Sequence, residues 1–207
     1  MDFVIAVDGP AASGKGTVAS RLAADFALPY LDTGILYRAV GVGVADPGDP
    51  AEAEAYARAL RLEAVDEALV RTAAAGEAAS RVAAHRGVRG ALIALQRDFA
   101  AQPGGAVLDG RDIGTVICPE AEVKLYVTAS PEIRARRRWA ELGAEADYDR
   151  VLAQVRERDA RDTGRADAPL RPAEDAVILD TSDLPAEAAV ARAMALVQAA
   201  VERARGA

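Results

Sequence analysis

GPAASGKGT, residues 9–17, follows the apolar run FVIAV at residues 3–7 and precedes a stretch with helical periodicity. Glycines at positions 9, 14 and 16 allow backbone N–H groups to point inward at an anion, and the next helix adds the positive end of its dipole. Lys15 supplies a positive charge for the β- and γ-phosphates. A glycine-rich turn can also merely join a strand to a helix, but the strand, Lys15 and Thr17 together favour a nucleoside triphosphate site.

The loop departs from its common form at one position. Gly16 separates Lys15 from the hydroxyl of Thr17, whereas the common motif has Ser or Thr directly after the lysine. This variant indicates a small-metabolite or nucleotide kinase rather than a GTPase.

Composition narrows the class of protein. The 207 residues suffice for one α/β domain, and a net charge of -7 argues against a general nucleic-acid binder. Cys118 is the single cysteine, which excludes an intrachain disulfide and favours a reducing compartment. No apolar run approaches the roughly 20 residues needed to span a bilayer, and residues 1–7 are too short for a signal peptide. We expect one cytoplasmic domain over residues 1–207, a monomer without nucleic-acid or membrane partners.

Apolar runs alternate with helical patterns along the chain. Buried strands are predicted at residues 3–7, 28–31, 106–108, 123–127 and 176–179. Helices are predicted at residues 15–26, 35–44, 51–60, 87–101, 131–142, 148–161 and 185–205. This order predicts an α/β fold with a five-stranded parallel sheet wrapped by helices, whose ligands collect at the carboxyl ends of the strands.

Two stretches interrupt the alternation. Residues 46–86 are rich in alanine and charge, with possible short strands at 60–65 and 69–72, and we interpret them as an insertion over the sheet. Residues 134–171 contain many arginines and few apolar residues, and we interpret them as a mobile lid.

Polar motifs follow the second and third predicted strands. In LDTGILYR, residues 31–38, Thr33 and Arg38 could hold an anionic acceptor, or the segment could simply cap a helix. In LDGRDIGT, residues 108–115, Asp109 is placed to serve Mg²⁺ through water, and Arg111 suits a phosphate. Asp112 can accept a hydrogen bond from an exocyclic amine, although a turn stabilised by Asp side chains is the alternative.

A third motif, RERDARDTGRADAPL at residues 156–170, carries several arginines. Arg158, Asp162 and Arg165 are separated by four and three residues, so on a helix they would share one face. Two mobile arginines closing over a triphosphate would neutralise charge on the transferring group, whereas a solvated helix with ion pairs is the alternative. Among Arg134, Arg136, Arg137 and Arg138, spacing does not select which would contact ATP.

Five segments together resemble the bacterial cytidylate kinase family, within the nucleoside monophosphate kinase group of P-loop kinases. They are GPAASGKGT, LDTGILYR, LDGRDIGT, ERDARDTGRADAPL and DAVILDTS, in the same order and over nearly the whole chain. The resemblance implies transfer of the ATP γ-phosphoryl group to CMP or dCMP with Mg²⁺. It also implies a five-stranded parallel P-loop kinase core with a monophosphate-binding insertion, approximately residues 46–86, and a short lid, approximately residues 134–171.

The resemblance further implies roles for individual residues. Lys15, Arg158 and Arg165 would be catalytic, and Mg²⁺ would lie near Thr17 and Asp109, contacted through water. ATP would bind the loop residues Gly9, Pro10, Ala11, Ala12, Ser13, Gly14, Lys15, Gly16 and Thr17. CMP would bind Thr33, Arg38, Ser80, Arg89, Arg111, Asp112 and Asp162, with Ser80, Arg89 and Asp112 reading the cytosine base.

The insertion departs from the family pattern. Arg71 and Thr72 are followed by three alanines, where the family usually has a sequence of the Pro-Glu-Val type, and the insertion is about one hairpin shorter. The choice between CMP and UMP, and a related P-loop small-molecule kinase, therefore stay open. A nucleotide-dependent switch is disfavoured, because the chain has no asparagine and so lacks the NKxD segment of guanine-reading switches.

Overall fold

The computed structural model describes residues 3–143 and 146–206 and contains a five-stranded sheet. The strands are β1 (Phe3–Asp8), β2 (Tyr30–Asp32), β3 (Gly105–Gly110), β4 (Val123–Thr128) and β5 (Val177–Asp180). All neighbouring strands are parallel, in the order β2-β3-β1-β4-β5. The predicted five-stranded parallel sheet is confirmed.

Helices cover both faces of this sheet. They are α1 (Lys15–Asp25), α2 (Thr33–Gly43), α3 (Pro50–Ala59), α4 (Glu67–Val70), α5 (Ala73–Val82), α6 (Arg86–Ala100), α7 (Pro131–Leu142), α8 (Tyr148–Thr163) and α9 (Ala186–Gly206). Side chains from successive strand residues point to opposite faces, so Ala6 of β1 packs toward α2, α5 and α6, whereas Ile5 and Val7 pack toward α1 and α9. Each predicted helix is found, with its ends within two residues of the prediction. Within the described ranges, none of the helices combines the length and apolar character needed to cross a bilayer.

Polar caps explain where several helices begin. The carboxylate of Asp32 accepts a hydrogen bond from the N–H of Gly34 at 2.9 Å, and Thr72 accepts one from Ala75 at 3.1 Å. Asp49 and Ser130 cap α3 and α7, and each is followed by a proline at the first helical position. These side chains satisfy N–H groups that have no partner within the helix.

The two short strands predicted at residues 60–65 and 69–72 are wrong. The segment forms a 3₁₀ turn at Leu62–Ala64 and the helix α4, and α5 follows directly. Asp66 begins α4 by accepting a hydrogen bond from Ala68 N at 2.9 Å, and Val70 packs against Ile35 and Ala39 of α2 rather than against a strand. A short apolar run fits a helical turn as well as a strand. Here the capping side chains of Asp66 and Thr72 favour helices.

The region predicted as a lid contains α7 and α8. These helices pack against each other through Ala135, Val151 and Val155. Ala144 and Glu145, inside the predicted lid, lie outside the described residues. The mobility of this region and the bounds of the insertion and lid stay predictions.

Candidate active site

The glycine-rich loop connects β1 to α1 with an unusual backbone. Gly9 has a φ of 154°, and a Cβ there would lie 2.0 Å from the carbonyl oxygen of Val127. Ala12 has a φ of 59° and Gly14 a φ of 87°, so the loop enters the left-handed region twice before α1 begins at Lys15. The loop therefore approaches β4 too closely for a side chain at position 9.

Residues from distant elements hold the loop in this shape. The carbonyl of Ser13 accepts hydrogen bonds from the hydroxyl of Thr181 at 2.9 Å and from the guanidinium of Arg137 at 3.3 Å. Arg137 also donates to the carbonyl of Thr181 at 2.7 Å. Because Thr181 follows β5 and Arg137 lies on α7, the loop is fixed by the strand edge and by the first lid helix together.

The four arginines of α7 differ in their surroundings. Arg134 is 3% exposed and donates to both carboxylate oxygens of Asp159, at 2.9 and 2.6 Å. Arg136 is exposed, and Arg138 lies 3.8 Å from Glu141 in an ion pair. Arg137 lines the cavity over the loop. Of the four, Arg137 is the arginine that the structure places in the lining of this cavity.

A first cavity of ≈ 450 Å³ lies over the loop and is called here the donor cavity. Its polar wall consists of loop and α1 residues together with Arg137, Glu141 and Thr181. Leu184, Ala186 and Ala189 provide an apolar wall. Sequence reasoning missed Thr181 and this wall as site residues, although DTSDLP directly after β5 is the same strand-end signal that marked the other motifs.

A second cavity of ≈ 130 Å³, called here the acceptor cavity, lies beside the first. All residues predicted to bind CMP line it, although they come from α2, α5, α6, the turn after β3, and α8. They are Thr33, Arg38, Ser80, Arg89, Arg111, Asp112 and Asp162, joined by Lys15, Arg158 and Arg165. The structure thus brings the predicted acceptor and catalytic residues to one place, and their individual roles stay predictions.

One end of the acceptor cavity carries a buried ion pair. Arg89 donates a hydrogen bond to Asp112, and each residue is 4% exposed. The guanidinium of Arg89 also lies 6.0 Å from the ring centre of Tyr37. Burial raises the pKa of Asp112, which the positive charge of Arg89 opposes. Ser80 lies near this pair, is 3% exposed and accepts a hydrogen bond from Arg161 at 3.1 Å.

Positive charge also surrounds Asp162 in this cavity. Arg111 donates to Asp162 at 2.9 Å, and Arg165 donates to the other oxygen of the same carboxylate. Burial alone would raise the pKa of Asp162, but Arg111 and Arg165 hold it below its ordinary value. Arg158 has a buried Nε with no hydrogen-bond partner among the described residues. Burial, with repulsion from Arg111, lowers the pKa of Arg158 to about 10.

The position of Arg165 differs from the expectation of a shared helix face. Helix α8 ends at Thr163, and Arg165 lies in the following turn. Gly164 ends the helix, and the N–H of Leu170 then returns to the carbonyl of Asp162 at 2.8 Å. Arg165 therefore reaches Asp162 from a turn rather than from the helix.

Lys15 lies between the two cavities and lines both of them. Its Nζ is 3.8 Å from a carboxylate oxygen of Asp109, whose other oxygen accepts a hydrogen bond from Tyr30 at 2.7 Å. The hydroxyl of Thr33 donates to the backbone carbonyl of Asp109 at 2.7 Å. Burial lowers the pKa of Lys15 and raises that of Asp109, because it penalises the charged form of each. An anion bound beside Lys15 would favour the charged form of the lysine, which burial penalises.

A phosphate-binding loop opening onto an acceptor cavity lined by arginines is the arrangement of a phosphotransferase, and comparison with known proteins identifies the family. The family model described as cytidylate kinase matches residues 5–199. The chain belongs to the cytidylate kinase family.

Relatives agree with this assignment over the full length. The chain is 60% identical to the cytidylate kinase of Caulobacter vibrioides strain NA1000, over 99% of this chain and 100% of that protein. It is also 60% identical to the cytidylate kinase of Xanthobacter autotrophicus strain Py2, over 95% of this chain and 98% of that one. The crystal structure of a sugar kinase from Janibacter shares the fold, with a TM-score of 0.51, 16% identity and coverage of 96% and 95% of the two chains. The predicted membership of the cytidylate kinase family is confirmed.

Proposed function

We propose that the donor and acceptor cavities hold ATP and CMP, or dCMP, facing each other, and that the γ-phosphoryl group passes between them beside Lys15. The reaction follows from the family: as predicted, the chain is an ATP-dependent kinase that converts CMP or dCMP to the diphosphate. The observation that supports the arrangement is that Lys15 and Gly16 line both cavities.

On the donor side, the loop amides and Lys15 would bind the phosphates of ATP. The positive end of α1 adds to this attraction, because its first N–H groups have no partner within the helix. Arg137 sits at the edge of the same cavity, and the apolar side chains of Leu184 and Ala189 suit the adenine ring. The triphosphate would thus extend from α9 toward Lys15.

On the acceptor side, the carboxylate of Asp112 would read the base. A carboxylate accepts a hydrogen bond from the exocyclic amine of cytosine, whereas uracil presents a carbonyl oxygen at that position. Because Asp112 is buried, leaving it opposite an acceptor atom costs about 1 to 3 kcal/mol. The cavity therefore favours CMP over UMP.

The transfer itself needs little from a catalytic base. The attacking atom is a phosphate oxygen of CMP, and a phosphate monoester is largely ionised at neutral pH because its second pKa is about 6. As this oxygen bonds to the γ-phosphorus, the bond to the bridging oxygen breaks and ADP leaves with the electron pair. The protein must align the two nucleotides and stabilise the charge of the transferring group.

The arginines are placed for that stabilisation. Arg158 and Arg165 come from the lid, while Arg38 and Arg111 come from α2 and the turn after β3. Burial lowers the pKa of Arg38 as it does that of Arg158, so both side chains gain from a neighbouring anion. We propose that Arg158 and Arg165 act on the phosphoryl group, while Arg38, Arg111 and Thr33 hold the CMP phosphate and Asp162 contacts the ribose.

The residues present fit a magnesium ion. Oxygen ligands suit Mg²⁺, and Thr17 at the donor cavity and Asp109 beside Lys15 offer a hydroxyl and a carboxylate. In the described ranges, no cluster of three His, Cys, Asp or Glu side chains could hold a metal by itself, so the phosphates of ATP would complete the ligand set. When bound, Mg²⁺ would neutralise charge on the β- and γ-phosphates.

An acceptor panel tests the proposed function. ADP release from ATP is measured with CMP, dCMP, UMP, AMP and no acceptor. We expect turnover with CMP and dCMP, weak turnover with UMP and little without acceptor. Equal or greater turnover with UMP would refute cytosine reading by Asp112, and ATP hydrolysis unaffected by any acceptor would favour a nucleotide switch.

The assembly and the compartment belong to the same proposal. We propose a monomeric enzyme that works in the cytoplasm, in line with the single cysteine, which favours a reducing compartment. Sedimentation of the protein with and without both nucleotides would test the first part.

A further inference from the structure

Arg161, on the lid helix α8, contacts the insertion helix α5 at Ser80, a residue that lines the acceptor cavity. Its guanidinium donates to Glu77 at 2.8 Å and to the hydroxyl of Ser80 at 3.1 Å, and it also contacts Glu157 on its own helix at 3.3 Å. Glu77 and Ser80 are three residues apart on α5 and so lie on one face. No role for Arg161 was predicted from the sequence.

This contact has a consequence for the proton of Ser80. A guanidinium has N–H donors and no acceptor, so the oxygen of Ser80 must accept in this hydrogen bond. Arg161 is the hydrogen-bond partner that the described residues provide for this hydroxyl. The O–H of Ser80 is therefore left to donate to a ligand in the acceptor cavity.

The direction of that donor bears on which base is recognised. Ser80 lines the acceptor cavity together with Arg89 and Asp112. Cytosine has an acceptor at ring nitrogen N3, where uracil carries an N–H. A fixed O–H donor thus suits the edge of cytosine, while a freely rotating hydroxyl could accept from uracil as readily as it donates to cytosine.

Asp162, the residue that follows Arg161 on α8, also lines the acceptor cavity. Asp162 accepts hydrogen bonds from Arg111 and Arg165, so two successive residues of α8 contact side chains that line this cavity. Opening of the predicted lid would move α8 away from α5 and so break the contact from Arg161 to Ser80.

We propose that Arg161 is a specificity-determining positioning residue, which orients the Ser80 hydroxyl toward the base and makes cytosine selection depend on lid closure. This inference rests on the proposed function, because it assigns Ser80 to the base. Arg161 acts through Ser80 and takes no part in phosphoryl transfer.

The test compares kcat/KM for CMP and for UMP in Arg161→Ala, Ser80→Ala and the double variant. Arg161→Ala should lower the CMP:UMP ratio of kcat/KM about tenfold, the size expected for one lost hydrogen bond to a charged group, and should leave the KM for ATP unchanged. Ser80→Ala should lower the ratio similarly, and the double variant should match the single variants rather than multiply their effects.

Two further variants serve as controls. Arg156→Ala removes a different α8 arginine, which is exposed and pairs with Glu132 at 2.8 Å, and should leave the ratio unchanged. Glu77→Gln keeps Ser80 and Arg161 but weakens the ion pair, and should lower the ratio less than Arg161→Ala. Thermal unfolding followed by circular dichroism confirms that each variant is folded.

The outcomes separate this inference from the proposed function. Loss of activity shared equally by CMP and UMP in Arg161→Ala, or multiplicative effects in the double variant, would overturn the inference. An unchanged ratio in Ser80→Ala would overturn it as well, while kinase activity on CMP would stand. A wild-type protein inactive on CMP would instead refute the proposed function.

Discussion

At the residue scale, the proposed placement of the two nucleotides depends most on Lys15. Its ammonium group lies at the boundary of the donor and acceptor cavities and 3.8 Å from Asp109. Burial lowers its pKa, so bound phosphates would favour the charged form that the free protein penalises. In the proposed function, a charge at this point would stabilise the transferring group rather than either nucleotide alone.

Replacing Lys15 should therefore remove catalysis while preserving the fold. We expect Lys15→Met to lower kcat about 10³-fold or more, because a preorganised charge on the phosphoryl group is lost. Lys124→Met is the matched control, since Lys124 pairs with Asp175 on another part of the molecule. Steady-state kinetics measure kcat for both variants, and circular dichroism confirms that both are folded. Comparable losses of kcat in the two variants would contradict a catalytic role of Lys15.

Asp8 makes a second residue-scale prediction. Its carboxylate is 4% exposed and accepts hydrogen bonds from the N–H groups of Ile113 and Gly114, both at 2.8 Å. Burial raises its pKa from 3.8 to about 7, although these amides oppose the shift. Between those values the folded state retains a proton that the unfolded state has lost. The contribution of Asp8 to stability is therefore present below about pH 4 and falls as pH rises to 7.

Comparison with Asp8→Asn isolates this effect, because asparagine does not titrate. The free energy of unfolding of the wild type, minus that of the variant, should fall by roughly 2 to 3 kcal/mol between pH 5 and pH 8. Urea denaturation at a series of pH values measures the difference. A difference that stays constant or grows with pH would contradict the raised pKa.

At the element scale, the close packing of α2 and α5 positions the base end of the acceptor cavity. A Cβ at Gly41 of α2 would lie 2.8 Å from backbone and side-chain carbons of Ala78 on α5. That distance is too short for a methyl group, so the helices would have to move apart. Ser80 lies on the displaced helix, two residues beyond Ala78.

Gly41→Ala should accordingly destabilise the protein by about 1 to 3 kcal/mol and raise the KM for CMP, with little change in the KM for ATP. Gly90→Ala is the matched control. Gly90 is an exposed position of α6, where an added methyl group would meet no described atom within 4 Å, so alanine there should stabilise by about 0.5 to 1 kcal/mol. Equal stability changes in the two variants would show that α2 and α5 tolerate separation.

The sequence alone predicts those strands and helices that are marked by a pattern of neighbouring residues. Buried parallel strands such as β1, with FVIAV at residues 3–7, contain continuous apolar runs, and helices such as α7 begin at a cap followed by proline. The segment from Leu60 to Thr72 was misassigned because its apolar runs are too short to separate a strand from a helical turn. Arg161 and Thr181 were missed as functional residues because their roles arise from contacts 81 and 168 positions away.

At the scale of the whole molecule, the strand order separates the residues that line the donor cavity from those that line the acceptor cavity. β1 lies at the centre and delivers the loop and Lys15, with β4 and β5 on one side and β3 and β2 on the other. Arg137 and Thr181 come from the β4–β5 side and line the donor cavity, whereas Thr33 and Asp112 come from the β2–β3 side and line the acceptor cavity. The donor cavity and the acceptor cavity thus lie at the carboxyl ends of the strands, on either side of Lys15.

Inhibition by a bisubstrate analogue, adenosine and cytidine joined through five phosphates, tests this arrangement most directly. We expect the analogue to compete with ATP and also with CMP. It should bind at least about tenfold more tightly than either nucleotide, because one molecule occupies both cavities. Competition with one nucleotide alone, or affinity no greater than that of ATP, would contradict a shared boundary at Lys15.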